Sequence, residues 1–293
     1  MQGRLSPPIN NRIQAFPINH WKNEFEIAKE IGIEVIEWIV DSSKNPIFDD
    51  DEIDEILKLS KKHDVKVNSL CADIFMKKHL FNNSKYAINQ NLKILEKLIE
   101  QCQKCGIKIL ELPFVDSSSL KNLEQQNEVI KNFESIISIA EDCNITLSLE
   151  TDLESKTFLE FLEKFNSNSI RANYDVGNSI SKNFDSVIEL DDLKNWIVNV
   201  HIKDRLKHGH TVPLGSGDVK FQEFFEKLKC IDYRGDLILQ GAREDLERKI
   251  PVIVIDPHGE YPSLKYPNSK DKELMIKFGI EPKSFLKQVV EFS

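Results

Sequence analysis

Three potential metal ligands lie close together near the end of the chain, in the stretch VIVIDPHGEY at residues 252–261. Asp256, His258 and Glu260 alternate with other residues directly after a run of mostly β-branched side chains. Carboxylate and imidazole groups are common protein ligands of divalent cations. By local spacing alone, this stretch is the most conspicuous candidate for metal chemistry in the sequence.

Four further candidates are far apart in the sequence, but each lies at or near the end of a short apolar run. Glu150 ends LSLE, Asp175 ends ANYD, His201 lies in VNVHI, and Gln240 ends LILQ. Singly, each residue is typical of a solvated or capping position. If the runs are strands of one parallel barrel, their ends meet at one rim, where the four side chains would form an oxygen-rich site with one imidazole. Such a site suits Mn²⁺, Mg²⁺, Co²⁺ or, less selectively, Zn²⁺.

These apolar runs belong to a regular alternation of predicted strands and helices. The segments between them have apolar residues at three- and four-residue spacing, which is typical of amphipathic helices. Strand–helix units of this kind form right-handed crossovers and build a parallel sheet. Their number at this chain length favours an α/β fold, the (β/α)₈ TIM barrel. The predicted strands are residues 33–40, 65–72, 107–114, 145–150, 170–175, 197–202 and 236–240.

Both ends of the chain depart from this pattern. Residues 1–5, MQGRL, are predicted as a shortened first strand, which completes the eight. After residue 248, where the last helix is expected, the sequence instead gives a strand-like run and several prolines. We therefore predict a barrel over residues 1–248 and an atypical C-terminal segment over 249–293. We interpret that segment as a chimeric end that has replaced the original last helix.

Composition and charge narrow the classes of partner. The chain has 293 residues, 40% of them hydrophobic, and a formal net charge of −9 at pH 7. This charge repels polyphosphate and disfavours a nucleic-acid partner. No apolar run approaches the roughly 20 residues that span a bilayer, and the N-terminus lacks the apolar region of a signal peptide. We therefore predict a cytoplasmic protein without a membrane partner, and leave a homo-oligomer open.

The cysteines do not predict a disulfide framework, because their number, five, is odd and they are scattered along the chain. Cys102 and Cys105 form a C-x-x-C, but they lie within a helical pattern and no second pair completes a zinc site. We interpret both as ordinary helix residues.

The motifs at the strand ends also carry a family likeness. MQGRLSP, LSLE, NYDVGN, HIKDR followed by VPLGSGDVKF, and DLILQGAR together resemble the xylose isomerase-like TIM barrels, a group of sugar-phosphate isomerases and epimerases. The resemblance implies a divalent metal held by Glu150, Asp175, His201 and the residue at position 240, with carbohydrate oxygens bound to it. Gln240 departs from the sugar epimerases, whose second glutamate at this place also moves protons, although a branch with LILQ exists.

The chemistry of such a site depends on its proton-transfer groups. A divalent ion polarises a sugar carbonyl and acidifies the adjacent C–H, so a carboxylate can abstract the proton and return it to the neighbouring carbon. Glu150 alone is sufficient for aldose–ketose isomerisation through an enediolate. Inversion at one carbon usually needs an acid and a base on opposite faces, and neutral Gln240 cannot serve. The sequence thus leans toward isomerisation and leaves open epimerisation with another acid, such as Glu37.

Residues of the HIKDR motif are candidates for binding the substrate's charged groups. Lys203, as a catalytic group, would neutralise an enediolate oxygen, and Arg205 would grip a phosphate or carboxylate. Asp204 would orient His201 as an outer hydrogen-bond partner. Surface ion pairs are an equally good explanation for these charges. We also predict that Asn178 and Gln240 bind substrate.

The loop that follows this motif has two glycines that allow close backbone approach. We predict that PLGSGD, residues 213–218, covers the substrate. His208 and His210 flank this loop and are expected to be solvated.

Two other functions remain open for the barrel. One is metal-dependent phosphodiester hydrolysis of the endonuclease IV type, which assembles several zinc ions on many strand-end histidines. His201 is the only histidine at a predicted strand end here, and the acidic charge also counts against DNA. The other is an inactive barrel that binds a sugar without converting it, which the unusual ends make credible.

The C-terminal stretch has a separate likeness. Residues 249–268 resemble the Walker B region of HerA-type ATPases, which implies Asp256 as the acid that holds Mg²⁺ and Glu260 as an acid near the attacking water. Such an ATPase also needs a P-loop, and G-x-x-x-x-G-K-[ST] occurs nowhere in the sequence. We therefore place the active site at the strand ends and interpret this stretch as a remnant of another protein's machinery.

Overall fold

The computed structural model of the protein describes residues 5–7, 9 and 14–241. In this part of the chain, seven strands pair in parallel, each with the next one along the main sheet. They are β1 (Val35–Ile39), β2 (Lys66–Cys71), β3 (Ile109–Phe114), β4 (Thr146–Thr151), β5 (Ile170–Asp175), β6 (Ile197–Ile202) and β9 (Leu237–Leu239). Between β6 and β9, the short strands β7 (Asp204–Arg205) and β8 (Thr211–Val212) form an antiparallel pair.

Helices connect the strands and cover the outside of the sheet. They are α1 (Trp21–Glu30), α2 (Asp50–His63), α3 (Lys85–Cys105), α4 (Leu123–Asn132), α5 (Glu134–Cys143), α6 (Ser155–Glu163), α7 (Val176–Ser181), α8 (Ser186–Leu193) and α9 (Phe221–Cys230). Short 3₁₀ helices occupy Pro46–Phe48, Asp73–Met76 and Asp116–Ser118. None of the helices in the described part has the length and apolar character that crossing a membrane requires.

Capping residues explain where the longer helices begin and end. The Ser84 side chain accepts a hydrogen bond from the Ala87 backbone N–H at the start of α3, which satisfies one of the donors that a helix leaves free. Gly106 ends α3 in the left-handed conformation, with φ of 74°, where a residue with a Cβ would be strained. The turn after α3 is short, so β3 begins within a few residues.

The core between helices and sheet is apolar, whereas the inside of the barrel is polar. Leu95, Leu98 and Ile99 of α3 are fully buried, and each contributes roughly 2 kcal/mol by leaving water. Cys102 and Cys105 lie on the same helix, as predicted, and both are buried. Fully buried polar side chains lie on the strands at Glu37, Ser69, Glu111, Ser148, Asn199 and His201.

The sheet curves into a nearly closed barrel. Glu37 of β1 contacts Asn199 and His201 of β6, which is possible only if the sheet bends round. On the open side, Asn68 Nδ2 of β2 donates to Asp236 Oδ2, just before β9, at 2.8 Å. The predicted TIM-barrel fold is confirmed, and the seven predicted strands agree with the observed ones to within a residue or two.

The predictions for the two chain ends fall largely outside the described residues. The predicted first strand covers residues 1–5, of which only Leu5 is described: it is buried, and its N–H donates to Glu24 Oε1 at 3.2 Å. The predicted C-terminal segment 249–293, with Asp256, His258 and Glu260, lies wholly outside.

Candidate active site

The carboxyl ends of four strands bring the predicted ligands together. Glu150, Asp175 and His201 each offer one ligand atom, and these atoms all lie within 4.8 Å of one another. Asp175 and His201 are direct neighbours in the pairing of β5 with β6. Gln240 follows β9, and its Nε2 lies 2.9 Å from His201 Nδ1. The set predicted from isolated strand ends is therefore one buried cluster.

Two asparagines hold the carboxylate of Glu150. Asn173 Nδ2 donates to Glu150 Oε2, and Asn178 Nδ2 donates to Oε1, each at 2.6 Å. With both oxygens bonded, the carboxyl group has a fixed orientation, and Oε2 lies 3.1 Å from His201 Nδ1. A carboxylate fixed in this way is ready to bind a cation or accept a proton without first being ordered.

His201 is held from its other side by Glu37. Glu37 Oε1 lies 2.9 Å from His201 Nε2, while Oε2 accepts from Ser69 Oγ at 2.7 Å and Asn199 Nδ2 at 2.9 Å. Burial opposes it, but the carboxylates of Glu37 and Glu150 raise the pKa of His201 well above its usual value. Conversely, the pKa of Glu37 is lowered, because the His201 interactions together with its other hydrogen bonds outweigh the opposite effect of burial.

The predicted role of Glu37 as a second catalytic acid stays a prediction. Its side chain is fully buried inside the barrel and engaged with the partners just described. This geometry also suits a carboxylate that orients an imidazole, since a ring nitrogen held by one partner leaves the other nitrogen available to a metal.

The predicted role of Asp204 is wrong. Its carboxylate does not contact His201 but accepts backbone N–H groups from Gly215 at 2.9 Å, Gly217 at 2.8 Å and Val219 at 3.2 Å. A Cβ at Gly217 would collide with this carboxylate, so the loop glycine allows close approach to Asp204. Asp204 thus anchors the loop after β8.

Lys203 and Arg205 both lie at the site, with different partners. Lys203 Nζ is 2.5 Å from Asp175 Oδ2 and 3.0 Å from Gln240 Oε1. Arg205 donates from Nη1 to Asn178 Oδ1 at 2.9 Å and from Nη2 to the Gly209 carbonyl at 2.9 Å. Arg205 therefore sets the orientation of the Asn178 amide that holds Glu150. Whether Arg205, Asn178 and Gln240 also bind substrate stays a prediction.

The histidines beside the loop at residues 213–218 are in the predicted environment. His208 and His210 are exposed, as expected for solvated residues. That residues 213–218 cover a substrate stays a prediction.

Sequence reasoning missed two acids near the cluster. Glu111 of β3 is fully buried, and burial, reinforced by the charge of Glu150, raises its pKa well above the usual value. Asp73, just after β2, accepts from Gln14 Nε2 at 2.6 Å and from Cys71 Sγ at 3.3 Å. Burial raises the pKa of Asp73 to about 6, and the charge of Glu150 acts in the same direction. The one charged residue within the otherwise apolar run ILELPF was the available signal for Glu111.

The donor set fits a divalent cation. Glu150 and Asp175 supply carboxylate oxygens and His201 an imidazole nitrogen, a combination typical of Mn²⁺, Mg²⁺ or Zn²⁺ sites. The amide oxygen of Gln240, which accepts from Lys203 Nζ at 3.0 Å, stays a predicted fourth ligand. Within the described residues, this is the one group of three or more acids, histidines or cysteines with such spacing.

Comparison with known proteins gives consistent matches over most of the chain. A family model described as xylose isomerase-like TIM barrel matches residues 25–254, just past the predicted boundary at residue 248. L-ribulose-5-phosphate 3-epimerase UlaE of Escherichia coli O1:K1 / APEC is 27% identical over 257 residues, which cover 82% of this chain and 89% of that protein.

Solved structures share the fold at lower identity. The apo form of 3-keto-D-glucoside 4-epimerase YcjR from E. coli superimposes with a TM-score of 0.64 at 18% identity, over 79% of this chain and 91% of its own. The IOLI protein, whose crystal structure contains a zinc atom, superimposes with a TM-score of 0.63 at 16% identity, over 74% of this chain and 81% of its own.

Proposed function

Because the chain belongs to the xylose isomerase-like TIM barrel family, we propose that it is a divalent-metal-dependent isomerase or epimerase of a sugar or sugar phosphate. The main support for this proposal is the buried cluster at the strand ends, where Glu150, Asp175 and His201 present ligand atoms within 4.8 Å of one another. The epimerase relatives support a small carbohydrate as the substrate.

Glu150 is the residue that we propose as the base. A divalent ion bound beside it supplies the polarisation of the sugar carbonyl that makes the neighbouring C–H acidic. The carboxylate of Glu150, fixed by the two asparagine amides, accepts the proton from the carbon next to the carbonyl. In an isomerisation it returns that proton to the neighbouring carbon. The Lys203 ammonium, which lies at the same site, provides positive charge for the substrate oxygen that becomes anionic.

Two observations point to different outcomes of this proton transfer. Neutral Gln240 removes the second carboxylate, which favours isomerisation by one base. UlaE is named a 3-epimerase, which favours inversion at one carbon, and inversion needs another proton carrier. Glu37, the predicted second acid, stays one candidate for that carrier. Asp73, which follows β2 and accepts from Gln14 Nε2 and Cys71 Sγ, is another, and burial raises its pKa to about 6.

A deuterium-exchange experiment tests the proposal. The protein is stripped of metal, reconstituted separately with Mn²⁺, Mg²⁺, Co²⁺ and Zn²⁺, and incubated in D₂O with a panel of ketoses and ketose phosphates. We expect deuterium at the carbon next to a carbonyl, detected by NMR, in the presence of at least one metal. Product stereochemistry separates isomerisation from epimerisation. Retention of all carbon-bound hydrogen by a protein with measured metal content would contradict the proposal.

Two controls accompany this experiment. Glu150→Gln has nearly the same size and keeps one acceptor oxygen, so we expect it to fold and to lose exchange. A duplex with an abasic site tests the hydrolase alternative. We expect no cleavage, because the cluster in the described residues contains one histidine rather than several. The cytoplasmic location and a homo-oligomeric state stay predictions.

A further inference from the structure

The ammonium group of Lys203 lies among the atoms proposed to bind metal. Its Nζ is 2.5 Å from Asp175 Oδ2 and 3.0 Å from Gln240 Oε1. These oxygens belong to two of the four proposed ligands. The side chain of Lys203 is 13% exposed and that of Asp175 is 1% exposed, so water screens this contact little.

The neighbouring backbone holds the Lys203 side chain in this direction. The first turn of α7 packs on its stem so closely that a Cβ at Gly177 would lie 2.9 Å from both Lys203 Cγ and the Lys203 carbonyl oxygen. Glycine at this position is what lets the helix approach. The ammonium is therefore aimed at the cluster by packing and does not reach it by chance from solvent.

Because Gln240 is neutral, the ammonium of Lys203 has a large effect on the net charge of the site. With glutamine there, Glu150 and Asp175 are the carboxylates of the proposed ligand set, and Lys203 offsets one of them. A divalent ion that bound the same oxygens would lie within a few ångströms of a positive charge, which repels it. Asp175 cannot give the same lone pairs to both cations.

We infer that Lys203 competes with the divalent cation for Asp175 and Gln240. In the metal-free enzyme its ammonium holds these two donors together, and it moves away from them when metal binds. Lys203 thereby sets how tightly this site holds metal. The inference rests on the proposed function, because it requires that the cluster is a metal site.

Metal affinity measured without substrate tests the inference. Free Mn²⁺ is followed by electron paramagnetic resonance during titration of chelator-treated protein. We expect Lys203→Met to bind Mn²⁺ about tenfold more tightly than the unmodified chain, because a close positive charge has been removed. Lys203→Gln keeps a polar end and serves if Lys203→Met folds poorly. We expect it to tighten binding in the same direction.

Lys182→Met is the matched control. Lys182 is also at the rim and forms an ion pair with Asp152 at 3.0 Å, but its side chain is 48% exposed. Its removal changes the net charge equally, so a general field effect would act in both variants. We expect a change in Mn²⁺ affinity of less than about twofold, since an exposed charge is screened.

Thermal melting gives a second readout. Loss of the Lys203 contact should lower the Tm of the metal-free protein and enlarge the rise in Tm on adding Mn²⁺. Equal or weaker Mn²⁺ binding by both Lys203 variants would overturn the inference and make Lys203 a support for Asp175. If neither the unmodified chain nor any variant binds Mn²⁺, Co²⁺ or Zn²⁺, the proposed metal site itself fails and the inference with it.

Discussion

A buried group of side chains lies on each face of strand β5. The inner cluster is Glu150, Asp175 and His201, and the outer cluster is Tyr174, Ser179 and Glu189. On the inner face, Asp175 lies beside Lys203 and His201. On the outer face, Tyr174 Oη donates to Glu189 Oε2 of α8 at 2.8 Å, and the Ser179 hydroxyl donates to the same oxygen. The inner acids have cations next to them, whereas the outer acid has hydroxyl groups.

One acid from each side of the sheet shows how these partners act on the pKa. Burial raises the pKa of Glu189 to about 7, although the Ser179 and Tyr174 hydrogen bonds act in the opposite direction. For Glu37, which belongs to the inner network, burial acts the same way, but His201 helps to lower the net pKa. Burial alone therefore does not fix the pKa of an acid in this protein, because a cationic partner such as His201 can offset it.

Removing the charge of Asp175 should have the largest effect on the inner cluster. Asp175→Asn keeps the oxygen that caps α7 but leaves the Lys203 ammonium without its carboxylate. We expect a loss of about 4 kcal/mol in the free energy of unfolding, as for other broken buried pairs. We also expect Mn²⁺ affinity to fall by more than the roughly 100-fold that losing an outer hydrogen-bond partner of a ligand costs.

Denaturant unfolding and Mn²⁺ titration measure these two effects. Asp64→Asn is the control, because Asp64 pairs with Lys29 at 3.4 Å and both side chains are exposed, and breaking such a pair costs about 1 kcal/mol or less. Unchanged metal affinity in Asp175→Asn would remove the basis for calling the inner cluster a metal site.

Glu189→Gln should abolish the pH dependence that belongs to the outer cluster. A carboxyl whose pKa rises from 4.5 unfolded to about 7 folded gives stability that is fully present below pH 4.5 and is lost as the pH rises to about 7. The loss is about 3 kcal/mol. Glutamine cannot ionise, so the unfolding free energy of the variant should depend less on pH in that window.

Chemical denaturation at several pH values between 4 and 8 measures this slope in the metal-free protein. Glu160→Gln, at an exposed position of α6, should leave the slope unchanged. An identical slope in Glu189→Gln and the unmodified chain would mean that the outer acid is ionised, and the contrast between the two faces would disappear.

Glu37→Gln separates orientation of His201 from its ability to bind metal. The amide keeps the size of Glu37 but loses the negative charge beside His201 Nε2. We expect Mn²⁺ affinity to fall roughly 10- to 100-fold, the usual cost of losing a carboxylate behind a ligating histidine. The Lys182→Met variant again serves as the control in the same titration. If Glu37→Gln keeps full metal affinity but loses proton exchange, the result would instead support Glu37 as a catalytic acid.

The sequence predicts the strand ends well because a parallel barrel turns a one-dimensional pattern into a shared rim. Glu150, Asp175 and His201 each end or nearly end a strand, so their meeting needs no knowledge of side-chain contacts. The Glu37–His201 contact could not be predicted in this way, since it joins β1 to β6 across the barrel. The interpretation of the stretch around Asp256 as a remnant of another protein's machinery stays a prediction, because that stretch lies outside the described residues.

Local adjacency misleads where a strand ends and the chain turns. Asp204, which is near His201 in the sequence, was predicted to orient it, yet β7 pairs with β8 and the Asp204 carboxylate accepts from the loop. Glu189 could not be identified from the sequence, because it looks like an ordinary helix acid and its buried contact is with Tyr174 on the outer face of β5. Both errors arise from tertiary contacts that no spacing rule encodes.

Asp204→Asn should have the smallest effect and should leave the inner cluster intact. An amide oxygen can still accept from the loop N–H groups, but the hydrogen bonds lose the strength that the negative charge gives. We expect a loss of about 1.5 kcal/mol in unfolding free energy and faster proteolysis of the loop after β8. Mn²⁺ affinity should stay unchanged, because Asp204 contacts backbone groups of the loop and not His201. A loss of affinity as large as that of Glu37→Gln would show instead that the loop anchor and the metal cluster act as one unit.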